Sequence, residues 1–316
     1  MQRVLANEFS WSKSRHEKFS DCRRAYYLSY YGSWGGWEEK ASSEVRELYL
    51  LKKLSNRYTW AGNAAHEAIR DVLLDLQAGR PVEAASVLER VRRQMREDYR
   101  HSHTLLFRTR KLRKTFAGLV EHEYAEPVAA EEWKRTWDSV EQALLWFFQS
   151  RWMEVARALK RHEWLEVDEG AFHSNLELQG IRFFAVPDFA YREPSGDVVV
   201  VDWKTGKARE GYEEQVTGYA LYLSKRYRVG MESIRAALVY LNEGTEVEVR
   251  ISPDALVRFE ESFQASVEAM RALLEHPEKN RPKPLEAFPM TEDVASCLRC
   301  VFRRVCARLD PTRHPS

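Results

Sequence analysis

A chain of 316 residues is long enough to bury a large core and to form one elaborate domain or two. Its 49 basic and 48 acidic residues nearly cancel, which excludes a uniformly basic coat and confines any basic surface to a local patch. The opening stretch MQRVLANEFSWSKSRHEKFS lacks the apolar centre of a signal peptide, and no run reaches membrane-spanning length. A soluble cytoplasmic protein without a membrane partner is expected.

In chain order, the first forty residues are aromatic and glycine-containing, with no clean period. NAAHEAIRDVLLDLQ (63–77) places Ala65, Ile69, Val72, Leu73 and Leu76 at helical spacing and ends at Gly79 and Pro81. Long amphipathic helices are expected from about 82 to 160, broken near Pro127. The character then changes: 164–172, 180–192, 197–204, 234–241 and 245–251 are strand-like runs. A helix over 210–229 separates two of them, and a long helix is predicted over 253–276. Pro277, Pro282, Pro284 and Pro289 make the next stretch an extended connector. This order predicts an α/β fold with a helical insertion.

The most informative stretch is FFAVPDFAYREPSGDVVVVDWKTG, which reads as a β-hairpin with PSGD at its tip. Asp188 lies seven residues before Ser195 and Asp202 seven after, so a turn centred there sets the two carboxylates directly across from each other. Asp202 and Lys204, two apart on one strand, share a face. Carboxylates so close repel unless a cation lies between them, and their hard oxygens suit Mg²⁺ or Mn²⁺. A lysine beside them can neutralise charge developing on a phosphate. The plainer account of Asp202 and Lys204 is a strand-end ion pair.

The cysteines form a second pattern. Cys297, Cys300 and Cys306 cluster in CLRCVFRRVC, and Cys22 lies far away in FSDCRRAYYLSYYG. In a reducing compartment such a set points to a four-sulfur site holding an iron–sulfur cluster or zinc.

On these residues the chain resembles the PD-(D/E)XK nuclease superfamily, and within it the RecB-type branch, whose strand carries D-x-K-T-G and whose following helix carries Q-x-x-x-Y. Gln215 and Tyr219 supply the latter in EQVTGYALYL, and GNAAHEAI offers His66 after Gly62. Val186-Pro187 precede Asp188 where many members of the branch have glycine. The resemblance implies a restriction-endonuclease-like core, a central mixed sheet flanked by helices. It implies Mg²⁺ or Mn²⁺ held by His66, Asp188, Asp202 and the Trp203 carbonyl. Lys204 would activate water, and Gln215 and Tyr219 would orient the site.

Ser12, Ser14, Phe19, Cys22, Arg24, Tyr26, Leu28 and Tyr30, together with the C-terminal cysteines, are similar to the iron–sulfur nucleases of this superfamily: AddB-type subunits, CRISPR-adaptation Cas nucleases and exonuclease V. That implies a 4Fe–4S cluster, ahead of zinc, on Cys22, Cys297, Cys300 and Cys306, joining the chain ends. The expected organisation is one nuclease domain over 1–316, a helical insertion at 80–162 and a cysteine segment at 290–310 that pairs with Cys22. The implied activity is hydrolysis of DNA, as a single-strand exonuclease in repair, recombination or CRISPR adaptation, beside a helicase or an adaptation protein. The alternative is a non-catalytic DNA-end-binding module of a helicase–nuclease complex. No G-x-x-x-x-G-K-[ST] occurs, so no P-loop motor is expected.

The expected DNA path lies in LLFRTRKLRKTFAGLVEHEY (105–124). Read as one helix, it puts Leu105, Leu112, Phe116, Leu119 and Val120 on one face. Arg110, Lys111, Arg113 and Lys114 then form a phosphate-tracking wall, with Arg108 at its margin; a solvated helix face is the plainer account.

Overall fold

The computed structural model of the protein describes residues 6–109, 116–168, 176–207 and 211–309. After the short strand β1 (Ser10–Ser12) come helices α1 (Lys13–Asp21) and α2 (Arg23–Tyr27). A π-helical turn (Leu28–Gly32) and α3 (Ser43–Lys52) follow. The aromatic opening that shows no clean period in sequence is thus mostly helical. Helix α4 (Arg57–Gln77) extends six residues N-terminal to its predicted start, capped by Asn56, whose side chain accepts from the Thr59 amide.

The helical block consists of α5 (Ala84–His103), α6 (Leu106–Thr109), α7 (Val120–Glu123), α8 (Ala130–Gln149) and α9 (Arg151–Ala158). The single helix expected over 105–124 does not form. Leu105 takes a positive φ of 53°, and Leu119 is extended and bridges to Ser55; among the described residues of this stretch, α6 and α7 are the helices. Phe107 packs closely on Gly118, where a Cβ would lie 2.5 Å from its ring.

The strands are β2 (Trp164–Val167), β3 (Leu176–Leu178), β4 (Ile181–Phe184), β5 (Phe189–Arg192), β6 (Val198–Lys204), β7 (Ile234–Tyr240) and β8 (Thr245–Arg250). Helix α10 (Tyr212–Tyr227) connects β6 to β7, and α11 (Pro253–Arg271) follows β8. The predicted helix over 253–276 ends early, because Leu274–His276 (β9) pairs with Arg281–Pro282 (β10). Helices α12 (Val294–Arg299) and α13 (Arg303–Leu309) carry the C-terminal cysteines.

The central sheet has the order β2-β5-β6-β7-β8; only the β6–β7 pair is parallel, as a strand–helix–strand crossover requires. The predicted run over 180–192 is split. Residues 181–184 pair with β1 and β3 in a separate three-stranded sheet, and the chain breaks at Val186-Pro187 before entering β5. Proline has no N–H for a ladder, so the break falls where the sequence places it.

Strand β6 is buried on both faces, and its alternation divides the core. Val199, Val201 and Trp203 pack with α4, α5, α8 and α9, while Val198 and Val200 pack with α10, α11 and the small sheet. A third cluster gathers Ala25 and Leu28 from the N-terminal helices, Phe107 and Val120 from the helical block, and Phe302 and Cys306 from the C-terminus. Among the described residues no helix is long and apolar enough to cross a membrane.

Candidate active site

The hairpin register decides where the acids stand. Phe189 pairs with Val201 and Arg192 with Val198, and extending this register by one residue sets Asp188 opposite Asp202. The two carboxylates therefore face each other where β5 begins and β6 nears its end, as the spacing around Ser195 predicts. Asp188 Oδ2 accepts the backbone N–H of Trp203 at 2.8 Å, which pins the carboxylate to the neighbouring strand. Its Oδ1 lies 3.3 Å from His66 Nδ1.

His66 reaches this point from α4. Gly62, one turn earlier, lets that helix approach the strand end: a Cβ there would lie 2.9 Å from Thr205 Oγ1. Burial disfavours a charged His66, but the Asp188 carboxylate, with Asp202 behind it, outweighs burial and holds the imidazole above its usual pKa.

Asp202 is 2 % exposed. Burial, with the Asp188 charge beside it, pushes its carboxyl above the usual carboxylate range, against the opposing pull of Lys204 and His66. Lys204 Nζ stands 2.5 Å from Asp202 Oδ2, yet that oxygen has no hydrogen-bond partner of good geometry. Lys204 instead donates to Gln215 Oε1 at 2.8 Å and lies over the Tyr212 ring, 4.0 Å from its centroid.

The Gln215 amide in turn donates to the Tyr219 hydroxyl at 2.7 Å, one helical turn further along α10. A glutamine has one acceptor end and one donor end, so the phenol fixes which end faces the lysine. Burial and the two nearby carboxylates hold Tyr219 well above its usual pKa, which keeps its O–H protonated. The sequence-predicted residues His66, Asp188, Asp202, Lys204, Gln215 and Tyr219 thus form one connected set.

Trp203 contributes differently from its neighbours. Its side chain points into the opposite core, edge-on to Phe147 and Trp152, while its N–H orients Asp188. Tyr212 was not legible as a site residue; a tyrosine opening a helix carries no signal until the structure sets it under Lys204. Asn242, at the end of β7, is a second such residue and donates to the Thr205 carbonyl at 2.8 Å.

The four cysteines meet elsewhere. Cys22, at the junction of α1 and α2, lines one cavity of about 290 Å³ with Cys297, Cys300 and Cys306. Burial, together with the neighbouring thiols, pushes Cys306 up to about 12 and Cys300 in the same direction. The chain ends are also joined without the thiols: Arg24 Nε donates to the Phe288 carbonyl at 2.7 Å, and Tyr27 packs on the Phe288 ring.

Among the described residues no three His, Cys, Asp or Glu side chains are grouped to hold a metal ion as they stand. At the acidic site the donor chemistry nevertheless suits a hard divalent cation. Two oxyanions are desolvated side by side, and a buried Asp202 oxygen lacks a hydrogen bond. Of the predicted DNA-contacting residues, Arg110, Lys111, Arg113 and Lys114 lie outside the described residues. Arg108 is committed to a bidentate pair with Glu123, with Nε–Oε2 at 2.7 Å.

A strand hairpin thus presents opposed carboxylates, with a lysine two residues beyond the second, on a mixed α/β sheet. A family model of the PD-(D/E)XK nuclease superfamily matches residues 10–307, and the chain belongs to that superfamily. No curated protein matches it as a relative.

Proposed function

We propose that the protein is a divalent-metal-dependent DNA nuclease of the RecB-type branch, acting on single-stranded DNA from an end. The observation that carries this reading is the Asp188–Asp202 opposition with Lys204 held by Gln215 beside it. His66, Asp188, Asp202 and the Trp203 carbonyl would hold Mg²⁺ or Mn²⁺, which supplies Lewis-acid polarisation of the scissile phosphate. Lys204 supplies a positioned ammonium where negative charge grows on a phosphoryl oxygen. Gln215 and Tyr219 hold that ammonium in place, and Asp188, fixed by the Trp203 N–H, keeps the acidic pair in register.

We further infer that Cys22, Cys297, Cys300 and Cys306 carry a 4Fe–4S cluster that staples the two ends of a single 1–316 nuclease domain around the core. The reading rests on the four thiols sharing one cavity. The helical block at 80–162 is then an insertion over one face of the nuclease sheet. DNA repair, recombination or CRISPR adaptation would be the setting, with any unwinding left to a helicase.

The test is cleavage of end-labelled linear and covalently closed circular single strands, with Mg²⁺, with Mn²⁺ and with chelator. Metal-dependent loss of the linear strand alone supports the exonuclease. Cutting of the circle would replace it with an endonuclease, and no cleavage under any condition would defeat the nuclease reading.

A further inference from the structure

Helices α5 and α8 leave a groove of about 530 Å³ between them, outside the acidic centre. Its composition is unusual. Arg92, Arg96 and Arg100 recur at every fourth position of α5 and so form one stripe. Trp133 and Trp137, one turn apart on α8, line the groove with them. Buried Trp60 and Met95 and half-buried Tyr99 complete the apolar lining, Tyr99 edge-on to Trp133 at 5.0 Å. No carboxylate lines the groove.

The arginines are not equivalent. Arg92 is engaged, bonded to Glu141 at 2.9 Å and lying over the Trp137 ring at 4.9 Å. Arg96 and Arg100 are exposed, and among the described residues neither pairs with an acid. Planar rings beside unneutralised guanidiniums suit a ligand that is flat, apolar and anionic at once. An acidic peptide lacks the flat apolar faces, and a purely apolar partner gives the arginines nothing to bind. In a duplex the bases are stacked inside, so their faces are not offered; in a single strand they are. Trp60, in the groove wall, and His66, in the acidic centre, stand on the same helix α4, about 9 Å apart along its axis.

We propose that this groove is a single-stranded DNA subsite, in which bases stack on Trp133 and Trp137 while Arg96 and Arg100 contact the flanking phosphates. It rests on the nuclease reading for its substrate class and adds a place where the strand is gripped.

The test measures binding of a fluorescent oligothymidine by anisotropy in chelator, where no cleavage occurs, across a salt series. Arg96→Gln/Arg100→Gln changes only exposed side chains, so the fold is kept. Its log-affinity against log-salt slope should flatten by about 1.4 units, roughly 0.7 for each lost phosphate contact. Trp137→Leu should weaken binding by roughly fivefold to 150-fold, the range for one lost base stack. Hydrolysis of bis(p-nitrophenyl) phosphate with Mn²⁺, a substrate too short to reach the groove, should be unchanged in the arginine variant.

An unchanged slope and affinity in the arginine variant would overturn the proposal. An equal loss on blunt duplex would overturn it too, as would thymidine monophosphate binding with the same arginine dependence and no gain from added length. Arginine-dependent strand binding by a wild-type protein that hydrolyses nothing would support the groove and strike the nuclease reading alone.

Discussion

Tyr219→Phe isolates the one group that sets the Gln215 amide. The change removes a hydroxyl and leaves the ring in its packed position on α10. One hydrogen bond is lost, that from the Gln215 amide at 2.7 Å. A neutral bond contributes about 1 kcal/mol, so the fold should lose about 1 kcal/mol. Lys204 senses only the amide. Freed of the phenol, Gln215 can turn its donor end toward the lysine, and the ammonium loses its 2.8 Å acceptor. About 1 kcal/mol of positioning corresponds to roughly a fivefold fall in kcat with KM little changed.

The assay is steady-state cleavage of a labelled single strand in a double-mutant cycle with Lys204→Ala. Lys204→Ala alone should lose at least about a hundredfold. Tyr219→Phe should then add nothing further, because the group it positions is gone. An equal fivefold loss in both backgrounds would show that Tyr219 acts by another route and would refute the Lys204–Gln215–Tyr219 chain.

Protein purified without oxygen should be brown and contain iron and sulfide, and Cys300→Ala should bleach it and lower its unfolding midpoint. Colourless protein with one bound zinc would keep the staple and remove the cluster. Burial, reinforced by neighbouring His103, depresses His122 from 6.5 to about 4. The stability it contributes is therefore present above pH 6.5 and lost as the pH falls toward 4. His122→Gln should flatten that acid limb in urea unfolding, and an unchanged limb would place the acid sensitivity elsewhere.

The acidic centre was legible because its geometry is local. A hairpin centred on Ser195 fixes the Asp188–Asp202 pairing by arithmetic, and period 2 puts Lys204 on the face of Asp202. Gln215 and Tyr219, one turn apart on one helix, were legible only through the family resemblance. The gathering of Cys22 with the C-terminal thiols was read from the cysteine count and the compact C-terminal spacing, and the resemblance narrowed the expected group to a 4Fe–4S cluster. What the sequence hid depends on long-range packing. Ser10–Ser12 becomes a strand only because Ile181–Phe184 offers it a parallel edge. The amphipathic pattern over 105–124 is real, but Phe107 and the Ser55–Leu119 bridge claim its apolar residues for separate contacts. Arg96 and Arg100 are ordinary helix-surface arginines until α8 brings two tryptophans beside them.

The most direct measurement is single-turnover cleavage of a labelled single strand by Asp202→Asn beside wild type, each with Mg²⁺ and with chelator. The substitution keeps the shape of the side chain and removes the charge that opposes Asp188. Wild type should cleave only with metal, and Asp202→Asn should fall by at least about a hundredfold while unfolding as cooperatively as wild type. A near-wild-type rate in folded Asp202→Asn, or a wild-type rate indifferent to chelator, would contradict the assignment of this centre.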